Sequence, residues 1–289
     1  MAATDIRPID DTTAGTFTLG HKTVRRLGFG AMRITGDGIW GEPPDHNEAV
    51  AVVRRAVELG VNLIDTADSY GPEVSENIIA EALHPYPDDL LIATKGGLLR
   101  TGPGEWPPDG RPEHLREACE GSLRRLKLER IDLYQLHHPD PQVPYAESVG
   151  ALAELQKEGK IAHVGVSNVT VDQLREAQAI VPVVSVQNRY NLVERNDEDV
   201  LEACERETIG FIPWFPLKTG ELAKGSGPVA EIAKAHDATP AQVALAWLLA
   251  HSPVTLPIPG TGSVQHLEEN VAAADVQLDP DEVEALNKA

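Results

Sequence analysis

Eight strand-like runs alternate with amphipathic helical runs along this chain, and that alternation restricts the fold more than any other feature. The strand-like runs are RLGFGAM from Arg26, NLIDT from Asn62, LLIATK from Leu90, IDLYQLH from Ile131, IAHVGVS from Ile161, VVSVQ from Val183, GFIPWF from Gly210 and VTLPIPG from Val254. They are short and almost continuously apolar, as parallel strands covered on both faces must be. The helical runs keep apolar residues three and four apart, as at Leu115, Ala118, Cys119, Leu123 and Leu126, with charges on the other side. Eight such units without a shift in composition predict an α/β fold, a single (β/α)8 TIM barrel. Ahead of it, TFTLGHKTVRRL predicts a β-hairpin turning at Gly20-His21. The division expected is a flexible tail over residues 1–15 and one barrel domain over 16–289. A doubly wound open sheet is the rival, but it needs G-x-G-x-x-G opening a helix. Gly28-Phe29-Gly30-Ala31-Met32-Arg33 lacks the third glycine and opens none.

Three connections are longer than α/β loops usually are: TGDGIWGEPPD after the first strand, GGLLRTGPGEWPPDGR after the third and HPDPQVPY after the fourth. All follow strands and precede helices, so all belong on the C-terminal face, where barrel active sites are built. Trp40, Trp106 and Tyr145 would hang over the mouth.

A formal net charge of −20 argues against nucleic acid or an anionic membrane surface as partner, since both call for a basic face. No apolar run is long enough to span a bilayer, and the N-terminus lacks the basic-then-apolar order of a secretory signal. The two cysteines, Cys119 and Cys204, suggest no disulfide framework, so a cytoplasmic setting is expected.

Three successive strands end in polar or ionisable residues. Asp65 closes the second, Lys95 the third and His137 the fourth, while Tyr70 follows Asp65 in the turn TADSYG. Each alone has an ordinary reading as a cap, a rim residue, a solvated strand end or a satisfied buried histidine. Together they weigh differently, because the C-terminal ends of neighbouring barrel strands share one patch. An unpaired charge at the end of a buried strand would also be costly. A phenol has a reference pKa of ~10; a nearby ammonium lowers it, and a carboxylate holds the ammonium in place. Such a site is suited to deliver a proton to an oxygen that is gaining charge. A Schiff-base role for Lys95, as in aldolase-type barrels, is the chemical rival. The pair His137-His138 suggests a metal, but adjacent strand residues face opposite ways and no other grouping has ligand spacing, so none is expected.

The segments DTADSYG, ATKGG, LYQLHHP, GVSN, VQNRYN, PWFPL and IPGTGSVQHLEEN resemble the aldo-keto reductase superfamily over essentially the whole chain. The resemblance implies reduction of aldehydes or ketones to alcohols with NADPH. It makes Tyr70 the general acid, Lys95 the group that lowers its pKa, Asp65 the partner of Lys95, and His137 the residue orienting the carbonyl. His138 would line the substrate pocket with Trp40 and Trp106. Ser167, Asn168 and Gln187 would hold the nicotinamide carboxamide, and Trp214 would stack on the ring. Gly30, Ala31, Met32 and Asp65 would also border the cofactor. Phe215 would border the cofactor as well, and Pro216, Leu217 and Lys218 would follow the pyrophosphate. Gly260, Thr261, Gly262, Ser263 and His266 would meet the adenosine phosphate, and Glu269 and Asn270 the adenine. The Schiff-base alternative leaves Ser167, Asn168, Gln187 and Trp214 unexplained.

Many members place Lys and Arg on the 2′-phosphate where this chain has Gly260 and His266. The phosphate is left to Thr261, Ser263, Gln265 and helix N–H groups. NADPH is expected with a reduced margin over NADH. Among branches of the superfamily the text looks most like bacterial members that include pyridoxal reductases (pyridoxine 4-dehydrogenases), which makes pyridoxal a candidate substrate. The alternative is a regulatory subunit that binds cofactor as a sensor and turns over little. Oligomeric state is not legible.

Overall fold

The structure is a computed structural model describing residues 7–217 and 227–288. Seven parallel strands pair in chain order: β3 (Phe29–Gly30), β4 (Leu63–Asp65), β5 (Leu91–Gly96), β6 (Ile131–Leu136), β7 (Ile161–Ser167), β8 (Val183–Gln187) and β9 (Gly210–Phe211). Between them run α1 (His46–Glu58), α2 (Val74–Leu83), α3 (Pro112–Leu126), α4 (Tyr145–Lys157), α5 (Val171–Gln178) and α6 (Glu198–Glu207). After β9 come α7 (Pro228–Ala235), α8 (Pro240–His251), α9 (Val264–Val271) and α10 (Pro280–Asn287). Among the described residues, no helix is long and apolar enough to cross a membrane.

The eighth predicted strand forms no regular ladder, yet it closes the barrel. Phe211 donates its N–H to the Val254 carbonyl at 2.8 Å, and Leu256 donates to Phe211 at 2.7 Å. On the other side Gly28 donates to Pro257 at 2.9 Å and Gly30 to Pro259 at 3.4 Å. Pro257 and Pro259 have no N–H to return, so bonding on that side runs one way. Closure is tight: a Cβ on Gly30 would lie 2.6 Å from the Ile258 carbonyl oxygen, and one on Gly260 would lie 2.6 Å from that of Gly30. The seventh predicted run, GFIPWF, is likewise cut short by Pro213. Pairing resumes beyond it, with Trp214 donating to the Asn188 carbonyl at 3.0 Å.

The predicted hairpin is present as β1 (Thr16–Leu19) and β2 (Lys22–Arg25). It covers the N-terminal end of the barrel. Leu19 and Val24 are buried, Arg25 N–H donates to Asn62 Oδ1, and Lys22 reaches the Leu90 carbonyl. Within the segment expected as a flexible tail, contacts to the barrel begin near its N-terminal described residues. Ile9 is buried and its N–H donates to the Leu59 carbonyl at 2.9 Å, while Asp11 accepts from Arg25. Ala14 is buried too and Arg26 donates to the Gly15 carbonyl at 3.1 Å, so apolar and main-chain contacts together dock a segment that composition marks as polar.

Candidate active site

Asp65 and Lys95 end neighbouring parallel strands, and both side chains are buried, at 2% and 0% exposure. Lys95 Nζ donates to Asp65 Oδ1 at 2.5 Å, to the Thr66 carbonyl at 2.8 Å and to Tyr70 Oη at 3.3 Å. Those three acceptors match the three protons of an ammonium. Asp65 Oδ2 accepts from Gln135 Nε2 at 3.1 Å and Gln187 Nε2 at 2.9 Å. The ion pair is thus hydrogen-bonded on both sides, the condition under which a buried pair is tolerated. Burial by itself pulls the Lys95 pKa down, but Asp65, with Tyr70, restores it, and the net direction is upward.

Tyr70 is raised above the usual phenol value, because burial outweighs the opposing pull of Lys95. Lys95 acts downward, as expected, and burial is the larger influence. Lys95 moderates the rise without reversing it, so Tyr70 carries its proton throughout the neutral range, as a donor must. His137, 8% exposed, is held well below the ordinary imidazole range by burial, then by Lys95 and His138. It is therefore neutral, and Nδ1 lies 3.4 Å from Ser69 Oγ. The His137 and Trp106 rings meet the Tyr70 ring edge-on, at centroid separations of 5.8 and 6.3 Å. His138 is exposed, its Nδ1 turned to the Pro139 carbonyl.

Ser167 and Gln187 sit side by side in the β7–β8 register. Asn168, in the left-handed region at φ 59°, has its amide occupied: Nδ2 donates to the His137 carbonyl and to Ser167 Oγ, both at 3.0 Å. Its Oδ1 accepts from Trp214 Nε1 at 3.0 Å. With one Gln187 N–H given to Asp65, the Ser167 hydroxyl proton and Gln187 Oε1 remain as a neighbouring donor and acceptor. That remainder fits a primary carboxamide. Asn168 also holds the Trp214 indole in place through its Oδ1.

Residues 26–289 match the model of the aldo/keto reductase family. The chain belongs to this family. It is 55% identical to an oxidoreductase of Schizosaccharomyces pombe over 93% of this chain and 88% of that one. It is 43% identical to pyridoxine 4-dehydrogenase of Escherichia coli over 95% of this chain and 98% of the relative. An aldo-keto reductase from Klebsiella pneumoniae solved in complex with NADPH superposes with a TM-score of 0.80 at 27% identity, covering 94% of each chain. As an aldo/keto reductase this chain is an NAD(P)H-dependent oxidoreductase acting on small carbonyl substrates.

The remaining predicted residues of this aldo/keto reductase are placed as follows. Ala31 and Met32 follow β3; the Ala31 carbonyl accepts from Ser75 Oγ and that of Met32 from Thr35 Oγ1. Phe215, at φ 65°, lies with Trp214 under the Arg189 guanidinium, and its carbonyl accepts from Asn191. Pro216 is buried and Leu217 half-buried; Lys218 lies outside the described residues. Thr261 is buried and its Oγ1 accepts the Ser263 N–H, while His266 is exposed and Asn270 buried. Glu269 is bonded to Gln265.

Several residues of the site went unread in the sequence. The start of α9 is less free for an anion than expected, since the Val264 N–H donates to Glu48 Oε1 at 3.0 Å. Arg33, exposed, runs beside the same segment, its Cγ 3.7 Å from where a Gly260 Cβ would be. Asp68 has its carboxyl pushed up to about 8 by burial and by Glu76, and its Oδ1 finds no hydrogen-bond partner. Gln135 looked like one more strand residue. For Arg33, Glu48 and Gln135 there is no local signal, because each meets a distant segment, and the effect on Asp68 depends on burial that its neighbours in sequence do not show.

Proposed function

We propose that this chain reduces aldehydes and ketones to alcohols with NADPH, Tyr70 giving the proton to the carbonyl oxygen, and that pyridoxal is among its substrates. The observation that carries the reading is the buried chain Asp65–Lys95–Tyr70 with neutral His137 against the Tyr70 ring. Reduced nicotinamide, when bound, supplies the hydride. Tyr70 begins protonated; as negative charge grows on the substrate oxygen its proton transfers, and the phenolate left behind is stabilised by Lys95. Asp65 keeps the ammonium charged in a site where burial would otherwise strip its proton. His137, uncharged, has an N–H to offer the same oxygen and so orients it. Ser167 and Gln187 offer the complementary pair that a carboxamide needs, and Trp214 an apolar face for its ring. NADPH is supported by the Klebsiella pneumoniae relative bound to it.

Pyridoxal is favoured by the 43% identity to pyridoxine 4-dehydrogenase and by the aromatic side chains at the mouth. A planar ring packs on Trp106 without many hydrogen bonds. The test follows NADPH oxidation with a panel of aldehydes including pyridoxal, in wild type and Tyr70→Phe. Turnover lost in the variant supports the assignment. Tight NADPH binding without turnover of any aldehyde would replace it with the sensor reading.

A further inference from the structure

Arg100 lies in the long loop after β5 and makes five hydrogen bonds, all to main-chain carbonyls. Nε donates to Glu105 at 3.1 Å, one terminal nitrogen to Ile39 at 2.6 Å and Ser69 at 2.9 Å, the other to Gly38 at 3.0 Å and Gly102 at 3.4 Å. A guanidinium has five N–H groups in a rigid plane, so every donor is spent. The carbonyls come from three segments: the loop after β3, the Tyr70 turn and Arg100's own loop. The same guanidinium lies over the Trp106 ring at 3.7 Å and within 5.4 Å of the Trp40 ring. Trp106 in turn meets Tyr70 edge-on.

Other contacts bind these loops into one body. Gly41 donates to the Gly71 carbonyl at 2.5 Å, joining the first loop to the Tyr70 turn. Gly38, at φ 66°, touches the loop after β5: a Cβ there would lie 3.1 Å from that of Pro103.

We propose that Arg100 is the positioning residue of the substrate mouth: it locks the Trp40 and Trp106 loops to the Tyr70 turn and so sets a fixed aromatic wall that selects planar ring carbonyl compounds over short chains. It has no N–H left for a substrate anion, which separates this role from direct binding of a carboxylate or phosphate. The inference rests on the carbonyl-reducing reading above. Lysine cannot stand in, since three donors on a flexible stem cannot span five carbonyls in a plane.

The experiment measures kcat and KM for Arg100→Met and Arg100→Lys, each with Trp106 present and as Trp106→Ala, using benzaldehyde, 4-carboxybenzaldehyde and butanal with NADPH. Arg100→Met should raise KM for benzaldehyde by about tenfold with kcat within about threefold, and leave butanal nearly unchanged. Arg100→Lys should recover little. In the Trp106→Ala background Arg100→Met should add less than about twofold, because the wall it positions is gone. The ratio of benzaldehyde to 4-carboxybenzaldehyde efficiency should not move. Equal losses for ring and chain aldehydes, recovery by Lys, an undiminished effect without Trp106, or selective loss of the carboxylated substrate would each overturn the proposal. If wild type reduces no aldehyde at all, the functional reading fails. Arg100 is then judged by indole emission, which Arg100→Met should shift in the wild-type background and shift less in Trp106→Phe, where Trp40 alone of the two wall indoles reports; no shift in either, or an equal shift in both, overturns it.

Discussion

Replacing Asp65 by Asn conserves shape and removes one charge, and the structure dictates why it should be severe. Oδ1 faces the Lys95 ammonium at 2.5 Å, and Oδ2 faces the amide nitrogens of Gln135 and Gln187 at 3.1 and 2.9 Å. An asparagine presents one N–H2 group, and in either orientation it confronts donors. Turned toward Lys95 it meets an ammonium; turned the other way it meets two amides. Breaking a buried ion pair by deleting one partner costs ~3–5 kcal/mol. At roughly 2–3 °C per kcal/mol for a chain of this size, the melting temperature should fall by roughly 6–15 °C. Lys95, fully buried and without its carboxylate, should then relax by losing its proton, since burial is the largest influence on it and acts downward. Tyr70 loses the one cation that moderates its pKa and becomes a weaker acid. The rate of carbonyl reduction should fall ~10²–10⁴-fold, the range for a lost general acid. The sign with pH follows: residual activity of the variant should rise as pH falls from 9 to 6, because Lys95 is reprotonated. The assay pairs NADPH oxidation with thermal melts across that range. A variant within tenfold of wild type in kcat, with an unchanged melt and no gain at low pH, would refute the argument that Asp65 maintains the charge on Lys95.

Three further outcomes are expected. Tyr70→Phe should lose ~10²–10⁴ in kcat while NADPH binding, followed by protein fluorescence, stays within a few-fold; retention of half the activity would show the proton comes from elsewhere. Asp68→Asn should change how stability depends on pH. A carboxyl raised from 3.8 to about 8 stabilises the fold fully below the lower value and progressively less as pH climbs through the higher. Thermal melts at pH 5, 7 and 9 should therefore show the variant gaining on wild type as pH rises, and parallel curves would place Asp68 in contact with water. For the coenzyme, Arg33→Ala should narrow the NADPH-over-NADH ratio of kcat/KM, whereas Glu48→Gln, which removes a carboxylate from the start of α9, and His266→Arg should each widen it. Ratios unmoved by all three would place the 2′-phosphate elsewhere.

The barrel was legible in the chain because its signal is local and repeated. Period in the helices, continuous apolarity in the strands and polar residues at strand ends each lie within a dozen residues, and the fold rule for consecutive βα units does the rest. By the same rule Asp65, Tyr70, Lys95 and His137 had to converge, since the ends of adjacent parallel strands lie one strand spacing apart. What the tertiary structure decided is how these groups act on one another. Burial raised Tyr70 against the pull of Lys95, a balance set by depth and not by neighbours in sequence. Pro257 and Pro259 close the barrel without a regular ladder, and Ile9 docks a segment that composition marks as a tail. Glu48 and Arg33 take their meaning from segments hundreds of residues away, and Arg100 from its own loop together with two segments dozens of residues away, joined by loops whose path no periodicity encodes. A loop residue's partners are fixed by packing of the finished barrel. In the sequence, Arg100 was one more basic residue in a loop rich in glycine and proline.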